Sequence, residues 1–176
     1  MSDGERDILF MRLALEQAET ALKAGEFPVG CVITDGAAVV ASGFRKTSRG
    51  ITPNELDHAE IAALKDLYEN RPEAMKRPLC LYATLEPCLM CFGAVLISGI
   101  HRIVYAFEDV MGGGTSCSRE SLPPLYRSAD LTVIPHVCRD ESAQLMRAFF
   151  SNPENSYLRG TLFAAYAMGD QDNCLS

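Results

Sequence analysis

The sequence predicts an α/β fold in which one mixed sheet is covered by helices on both faces. Two observations support this class. Segments with apolar residues three to four positions apart alternate with short β-branched runs, and the first two runs are joined by an Asp35-Gly36 turn. A length of 176 residues fits a single domain over 1–176. Its core is expected over about 5–150, with a helical C-terminal extension over 151–176.

The first half of the chain predicts a helix, a hairpin and a second helix. The first helix covers 5–24, and Gly25 stands where a C-terminal cap is expected. The hairpin pairs 27–34 with 37–44 through the Asp-Gly turn. A polar stretch with Gly and Pro follows and indicates a loop. The helix after it is predicted over 57–68.

The second half alternates strands with helices. Short apolar strands are predicted over 79–84, 101–107 and 131–134. The first two of these are separated by an apolar helix over 88–99, and a helix over 140–150 follows the last. A long Gly- and Ser-rich loop precedes the last strand. Because these strands alternate with helices, we expect them to run parallel, with right-handed crossovers.

Composition and charge favour a soluble protein without a large basic surface for nucleic acid. The net charge of −7 argues against a large basic surface for phosphate backbones. No signal peptide precedes the first helix, and the longest weakly polar run, 88–100, is too short to cross a bilayer. We therefore expect a soluble, cytoplasmic protein.

Seven cysteines, an odd number, do not indicate a secreted disulfide framework. Five of them are scattered, and we expect these to be small buried hydrophobes. They are Cys31, Cys80, Cys117, Cys138 and Cys174.

The other two cysteines lie in the stretch TLEPCLMC, at the predicted start of a helix. Cys88 and Cys91 are three residues apart and share a helical face. His58 opens another predicted helix, 30 residues earlier. One His and two Cys make a three-ligand zinc site that leaves a fourth tetrahedral position to water, which is typical of catalytic zinc.

Glu60 follows His58 by two residues and can reach the same cleft from the first helical turn. A carboxylate there can take a proton from a water molecule and return it to a leaving group. His58, Glu60, Pro87, Cys88 and Cys91 together match the H-x-E and P-C-x-x-C signature of zinc deaminases.

With these motifs, and with FPVGCVI and HRIVYA, the chain resembles the cytidine deaminase superfamily. The resemblance runs from about 11 to 150 and is strongest to the branch of bacterial tRNA adenosine deaminases, guanine deaminases and fungal cytosine deaminases. It implies a three-layer α-β-α fold with a mixed five-stranded sheet and a homodimer. It also implies one zinc per chain, held by His58, Cys88 and Cys91, with Glu60 as the proton shuttle.

The resemblance also indicates substrate contacts. It implies that Val29 and the backbone of Ala59 line the base pocket, and that Asp109 matches an acid that contacts substrate in the tRNA enzymes. Arg45 stands where many relatives carry an asparagine that binds the base. A guanidinium offers only donors, so Arg45 fits an acceptor-rich or anionic substrate, unless it points away as a solvated loop residue.

The predicted activity is zinc-dependent, hydrolytic removal of an exocyclic amino group from a nucleobase-type ring, with release of ammonia. The acidic charge and the non-basic final segment favour a free base, nucleoside or nucleotide over tRNA. A tRNA-specific adenosine deaminase is one alternative. A catalytically inactive zinc-binding partner subunit is another, although the presence of Glu60 argues against it. Tyr157 in the extension is expected to pack on the body or a partner, or to close over the cleft.

Overall fold

The computed structural model describes residues 2–169, and its strands and main helices follow the predicted order. The elements are α1 (Asp3–Lys23), β1 (Gly30–Thr34), β2 (Val39–Phe44), α2 (Ala59–Asn70), β3 (Cys80–Leu85), α3 (Leu89–Ser98), β4 (Arg102–Phe107), α4 (Pro124–Arg127), β5 (Thr132–Ile134), α5 (Arg139–Ser151) and α6 (Leu162–Met168). Short 3-10 turns at Pro72–Lys76 and Arg119–Ser121 lie in the connections.

The five strands form one mixed sheet in the order β2-β1-β3-β4-β5. β1 runs antiparallel to both β2 and β3, whereas β3, β4 and β5 are parallel, as the strand–helix alternation predicts. The predicted hairpin turn is present between β1 and β2. Oδ1 of Asp35 accepts hydrogen bonds from the amides of Ala37 and Ala38, at 3.1 and 2.9 Å, and Gly36 takes the positive φ that the turn needs.

Helices cover both faces of the sheet because side chains alternate along each strand. On one face α1 packs against the even-numbered strand residues, and on the other α2 and α3 pack against the odd-numbered ones. The even-numbered set contains Val32, Tyr82 and Val104, and the odd-numbered set contains Ile33, Leu81 and Ile103. The result is the predicted three-layer α-β-α arrangement.

Two strand glycines let helices approach the sheet backbone closely. A Cβ atom at Gly43 would lie 2.3 Å from the carbonyl oxygen of Ala59, the first residue of α2. A Cβ atom at Gly30 would lie 2.2 Å from the carbonyl oxygen of Ala14 in α1. Both strands therefore need glycine, and Gly43 sets how closely the N-terminus of α2 packs on the sheet.

The structure differs from the predicted elements at several points. β1 begins at Gly30 and not at 27, because the amide of Phe27 donates to Ser48 Oγ at 2.7 Å and Pro28 has no amide to donate. The loop before β5 contains α4 and a 3-10 turn. Cys117 is exposed, so its predicted burial was wrong.

Of the other scattered cysteines, Cys31 is buried as predicted, while Cys80 and Cys138 are only half-buried. Cys174 lies outside the described residues. In the part of the chain that the structure describes, no helix is long and apolar enough to span a membrane.

The extension packs on the body of the domain. α6 begins just after Gly160, which has a φ of +78°, and Thr161 caps it by accepting from the amide of Ala164. The buried ring of Phe163 lies 5.9 Å from that of Phe27 and 6.0 Å from that of Phe107. The extension thereby reaches the same end of the sheet as the N-termini of α2 and α3.

Candidate active site

The N-termini of α2 and α3 meet in one cleft. His58 and Cys88 are the N-cap residues of these helices, and both have extended backbone angles. Neither side chain bonds to its own helix amides, which is the usual role of an N-cap side chain. Their nitrogen and sulfur atoms are thus free to face the cleft, and Cys91 joins them from the first turn of α3.

These three side chains converge on a point suited to a metal ion. The Sγ atoms of Cys88 and Cys91 each lie 3.5 Å from His58 Nδ1, and the three donor atoms are all within 4.8 Å of one another. Zinc is commonly bound by nitrogen and thiolate donors, and three protein ligands leave a position open. The donor set therefore fits a catalytic zinc.

The electrostatics of the two thiols also suit a metal. The contact with Cys91, together with His58, lowers the pKa of Cys88 to about 4 although burial opposes this. The same contact with Cys88, together with burial, raises the pKa of Cys91. The hydrogen bond with Cys88 raises the pKa of His58. One thiolate is thus present at neutral pH, and thiolate is the form that binds zinc.

Glu60 lies in the first turn of α2 and is only 3% exposed. Burial raises the pKa of its carboxyl to about 7, although the nearby His58 acts in the opposite direction. Such a carboxyl gains and loses a proton near neutral pH. It lines the same cavity as His58 and Cys88.

That cavity has a volume of about 240 Å³ and also contains the predicted substrate contacts. Val29, Arg45, Ala59 and Asp109 all line it. The structure thus brings together residues from β1, the loop after β2, α2 and the loop after β4. Cys91 lies behind the cavity wall and is fully buried.

Arg45 is buried and not solvated. It is 2% exposed, and its Nη2 atom donates to Glu55 Oε2 at 3.0 Å and to the hydroxyl of Tyr157 at 3.2 Å. Its backbone amide donates to the carbonyl of Val29 at 3.0 Å. This bond holds the start of the loop after β2 next to Val29, which also lines the cavity.

Asp109 is less free to contact substrate than the resemblance implies. Its Oδ1 atom already accepts hydrogen bonds from the amides of Met111 and Gly112, at 3.0 and 2.9 Å. Burial raises the pKa of its carboxyl. The loop is held in turn by Glu86, which accepts from the amides of Asp109 and Thr115 at 3.1 and 3.2 Å.

Among the other lining residues, sequence reasoning assigned no role to Glu55, Glu86 or Leu158, and it placed Tyr157 over the cleft only as one alternative. Glu86 lies inside the TLEPC motif, and an acid between a buried strand and a helix start was the available signal. Glu55 and Tyr157 are 102 residues apart and lie in segments that read as loop and tail, so nothing local indicates that they meet. Leu158 has a φ of +54°, a strained value for a bulky residue, which sequence does not reveal.

Comparison with known proteins finds a family whose zinc-binding region matches the part of the chain that contains His58, Glu60, Cys88 and Cys91. The model of the cytidine and deoxycytidylate deaminase zinc-binding region matches residues 4–107. A tRNA-specific adenosine deaminase of Haemophilus influenzae is 35% identical over 148 residues, which cover 84% of this chain and 84% of that protein.

Solved structures agree on the fold. One from a study of A-to-I editing by tRNA:A34 deaminases has a TM-score of 0.62 at 30% identity and covers 77% of this chain and 97% of its own. A guanine deaminase of Nitrosomonas europaea has a TM-score of 0.62 and covers 84% of both chains. At 20% identity, that second likeness supports the fold alone.

Proposed function

The chain belongs to the cytidine and deoxycytidylate deaminase family and is a zinc-dependent hydrolytic deaminase; from that premise we propose that it removes an exocyclic amino group from a nucleobase-type ring. One observation carries the proposal. A buried carboxyl group, that of Glu60, lines one cavity of about 240 Å³ together with His58 and Cys88, while Cys91 lies just behind them.

His58, Cys88 and Cys91 would hold the single zinc. When bound, zinc acts as a Lewis acid and lowers the pKa of a coordinated water to about 7. The chain supplies the rest. The two N-cap positions fix the donor atoms of His58 and Cys88, and the rigid first turn of α3 fixes that of Cys91.

Glu60 would carry the protons. Its position next to His58 lets its carboxylate take a proton from the attacking water and deliver it to the leaving nitrogen. Water adds to the amine-bearing carbon, the carbon–nitrogen bond breaks, and ammonia leaves as the ring carbonyl forms. The apolar wall made by Val29 and Phe27 would hold the ring and limit access of further water.

Adenosine in tRNA is the first substrate candidate. The Haemophilus influenzae relative supports it more strongly than it supports a free compound, since that protein is described as a tRNA-specific adenosine deaminase. In this case the cavity would receive a single base from a folded RNA, and the surrounding surface would have to bind the RNA backbone.

A free base, nucleoside or nucleotide is the second candidate, and the charge around the cavity favours it. The lining carries four carboxylates, from Glu55, Glu60, Glu86 and Asp109, but only one guanidinium, from Arg45. Carboxylates repel the phosphates of an RNA backbone. The net charge of −7 acts in the same direction.

We further propose that two copies associate through an apolar groove between α2 and α3 and that the protein acts in the cytoplasm. The groove includes Ile61, Leu64, Ala94 and Ile97, of which Ile97 is 56% exposed. Contiguous exposed apolar surface of this kind commonly marks an interface. The six cysteines within residues 2–169 are all free thiols, which suits a reducing compartment.

Ammonia release by the zinc-loaded full chain tests the activity. The panel contains adenine, guanine, cytosine, their nucleosides and nucleotides, and an anticodon stem-loop RNA with adenosine. We expect release from at least one member, abolished by Glu60→Ala with zinc still bound. Glu16→Ala, at an exposed glutamate of α1, should behave as wild type.

The panel separates the candidates. Release from the stem-loop alone supports adenosine in tRNA, and release from a small compound supports the second candidate. A zinc-loaded protein that is silent on the whole panel, or a Glu60→Ala variant with full activity, contradicts the proposed function.

A further inference from the structure

We propose that Glu55 determines the substrate specificity of this cavity by accepting a hydrogen bond from a donor group of the substrate. The donor is either an amino group on the ring, other than the one that leaves, or a hydroxyl group of an attached sugar. The inference rests on the proposed deaminase function and narrows its substrate.

Glu55 belongs to a hydrogen-bonded unit of three side chains that all line the cavity. Arg45 Nη2 donates to Glu55 Oε2 at 3.0 Å, and the hydroxyl of Tyr157 donates to the same oxygen at 2.8 Å. Arg45 Nη2 also lies 3.2 Å from the hydroxyl oxygen of Tyr157. The unit joins the loop after β2 to the segment between α5 and α6, and two donors hold the Glu55 carboxylate in one orientation.

Glu55 is the accessible member of this unit. The side chain of Arg45 is 3% exposed, its Nε and Nη1 atoms are shielded from solvent, and its Nη2 atom is already bonded to Glu55. The side chain of Glu55, by contrast, is 59% exposed. Glu55 is therefore the group that meets a ligand, and Arg45 is a positioning residue that acts through it.

The bonding pattern of the carboxylate defines the ligand. Oε2 accepts both hydrogen bonds of the unit, and Oε1 accepts none from residues 2–169. An ionised carboxylate has acceptor sites but no donor. Its partner at Oε1 must therefore be an N–H or O–H group. A ring nitrogen or oxo group at this point would face a second acceptor and be disfavoured.

The position of Glu55 indicates which part of the substrate it meets. The amide of Asn54 donates to the carbonyl of Thr47 at 2.9 Å, which holds the loop that leads from Glu55 to His58. Glu60 is 3% exposed, whereas the side chain of Glu55 is largely accessible. The leaving amino group would lie at buried Glu60, so Glu55 meets a donor at the other, more accessible end of the substrate.

Matched ligand pairs test the inference. The ring set compares adenine with 2,6-diaminopurine and 4-aminopyrimidine with 2,4-diaminopyrimidine, so that the second member of each pair has one more amino donor. The sugar set compares adenosine and cytidine with their 2′,3′-dideoxy forms, which lack both sugar hydroxyls. Dissociation constants are measured by calorimetry on zinc-loaded Glu60→Gln protein, which keeps the cavity without turnover.

In at least one set, the compound with the additional donor should bind about 10-fold more tightly. This is the lower end of the range for a hydrogen bond to a charged group, because Glu55 is partly exposed to water. A preference in the ring set identifies an amino group as the donor, and a preference in the sugar set identifies a hydroxyl group.

Glu55→Gln, made in the same protein, is the decisive variant. Its amide oxygen has to accept the hydrogen bonds from Arg45 and Tyr157, so its amide nitrogen takes the place of Oε1 and offers a donor there. A preference for an additional amino group should therefore reverse. A preference for sugar hydroxyls should fall toward equal binding, because a hydroxyl group can also accept.

Two further variants complete the test. Glu73→Gln makes the same change at an exposed glutamate outside this cavity and should keep the full preference. Tyr157→Phe keeps the ring but removes one of the two donors that hold Glu55, so it should lower the preference without reversing it. It serves if Glu55→Gln does not fold, as judged by circular dichroism.

Equal binding within every pair, or no binding by any compound, overturns the inference. An unchanged preference in folded Glu55→Gln does so as well. If the active protein releases ammonia while every pair binds equally, the proposed function stands and the inference fails. A clear donor preference with no ammonia from any compound or from the stem-loop RNA contradicts the proposed function and leaves the inference standing.

Discussion

At the scale of single residues, the cleft depends on two N-cap positions that do not cap. Most N-cap side chains satisfy a helix amide, whereas His58 and Cys88 make no capping hydrogen bond, and His58 Nδ1 and Cys88 Sγ lie 3.5 Å apart. The positive end of each helix favours thiolate and carboxylate nearby. The positive helix ends therefore favour the charged forms of Cys88 and Cys91 at the start of α3 and of Glu60 at the start of α2.

Cys88→Ser tests the zinc-ligand assignment. A serine hydroxyl is a poor zinc donor at neutral pH, and even residues that only support a ligand change metal affinity about 10- to 100-fold. We expect the loss at Cys88 to exceed that range. Zinc content after dialysis, measured by atomic absorption, should fall from about one per chain to well below it. Cys117→Ser, at an exposed cysteine, should retain zinc, and full zinc in Cys88→Ser contradicts the assignment.

At the scale of elements, a buried acid braces the loop after β4 against the start of α3. Glu86 accepts hydrogen bonds from the amides of Asp109 and Thr115 and from the Thr115 hydroxyl. Gly113 packs so closely against Glu86 that a Cβ atom at Gly113 would lie 2.4 Å from the Glu86 carboxylate, and Gly114 packs in the same way against the backbone of Leu89. The loop that presents Asp109 is therefore positioned by Glu86.

Glu86→Gln should loosen this loop. The amide keeps only one acceptor oxygen, and bonds to a charged group contribute about 1.5–3 kcal/mol each. We expect the free energy of unfolding in urea to fall by about 1–3 kcal/mol, and proteolysis between β4 and β5 to become faster. Glu120→Gln, at an exposed glutamate of the same connection, should change neither, and unaltered stability and proteolysis in Glu86→Gln would argue against the brace.

A second acid joins three elements and predicts a pH dependence. Glu108, directly after β4, pairs with Arg139 of α5 and with the hydroxyl of Tyr166 in α6. Burial alone would raise the pKa of Glu108, but these two partners lower it to about 2. Because the folded pKa lies below the unfolded value, the stabilisation is complete above about pH 4.5 and is lost as the pH falls toward 2.

Glu108→Gln should therefore lower the free energy of unfolding at pH 7 by about 1–3 kcal/mol, and the difference from wild type should shrink between pH 4.5 and 2. Urea titrations across this range measure it. Glu141→Gln, at an exposed position of α5, should show no such convergence. A difference that stays constant with pH would mean that the pair contributes nothing through its charge.

At the scale of the whole molecule, apolar surface remains outside the core. The groove between α2 and α3 is on the side of the sheet that carries the cleft helices, and Tyr68 there is 50% exposed. A second copy would cover it and hold the two helices whose N-termini form the cleft. Assembly and site geometry are then linked through the same elements.

Ile97→Lys tests this assembly, since a charge at the centre of an apolar interface is strongly unfavourable. Sedimentation equilibrium should give a dimer for the wild type and a monomer for the variant. Leu125→Lys, at a residue of α4 that is 66% exposed, should remain dimeric. A monomeric wild type contradicts the proposed dimer.

The sequence by itself determined the family, the order of strands and helices, and the metal-binding motif. These depend on local signals: apolar periodicity, a two-residue turn, and fixed spacings such as His58 to Glu60 and Cys88 to Cys91. Local signals predicted β2, β3 and α3 within one or two residues at each end. They mispredicted the start of β1, because the amide of Phe27 donates a hydrogen bond to Ser48, which is distant in the chain.

Only the tertiary structure decided how the cavity is built around Arg45. Glu55, Tyr157 and Leu158 reach it from segments without a regular pattern, and a hydrogen bond between residues 102 positions apart leaves no trace in local sequence. The net charge could be read from the sequence, whereas the location of the charges could not. Composition predicted an acidic protein, but which carboxylates face the cavity depends on which loops meet there, because only folding removes them from water and brings them within reach of one another.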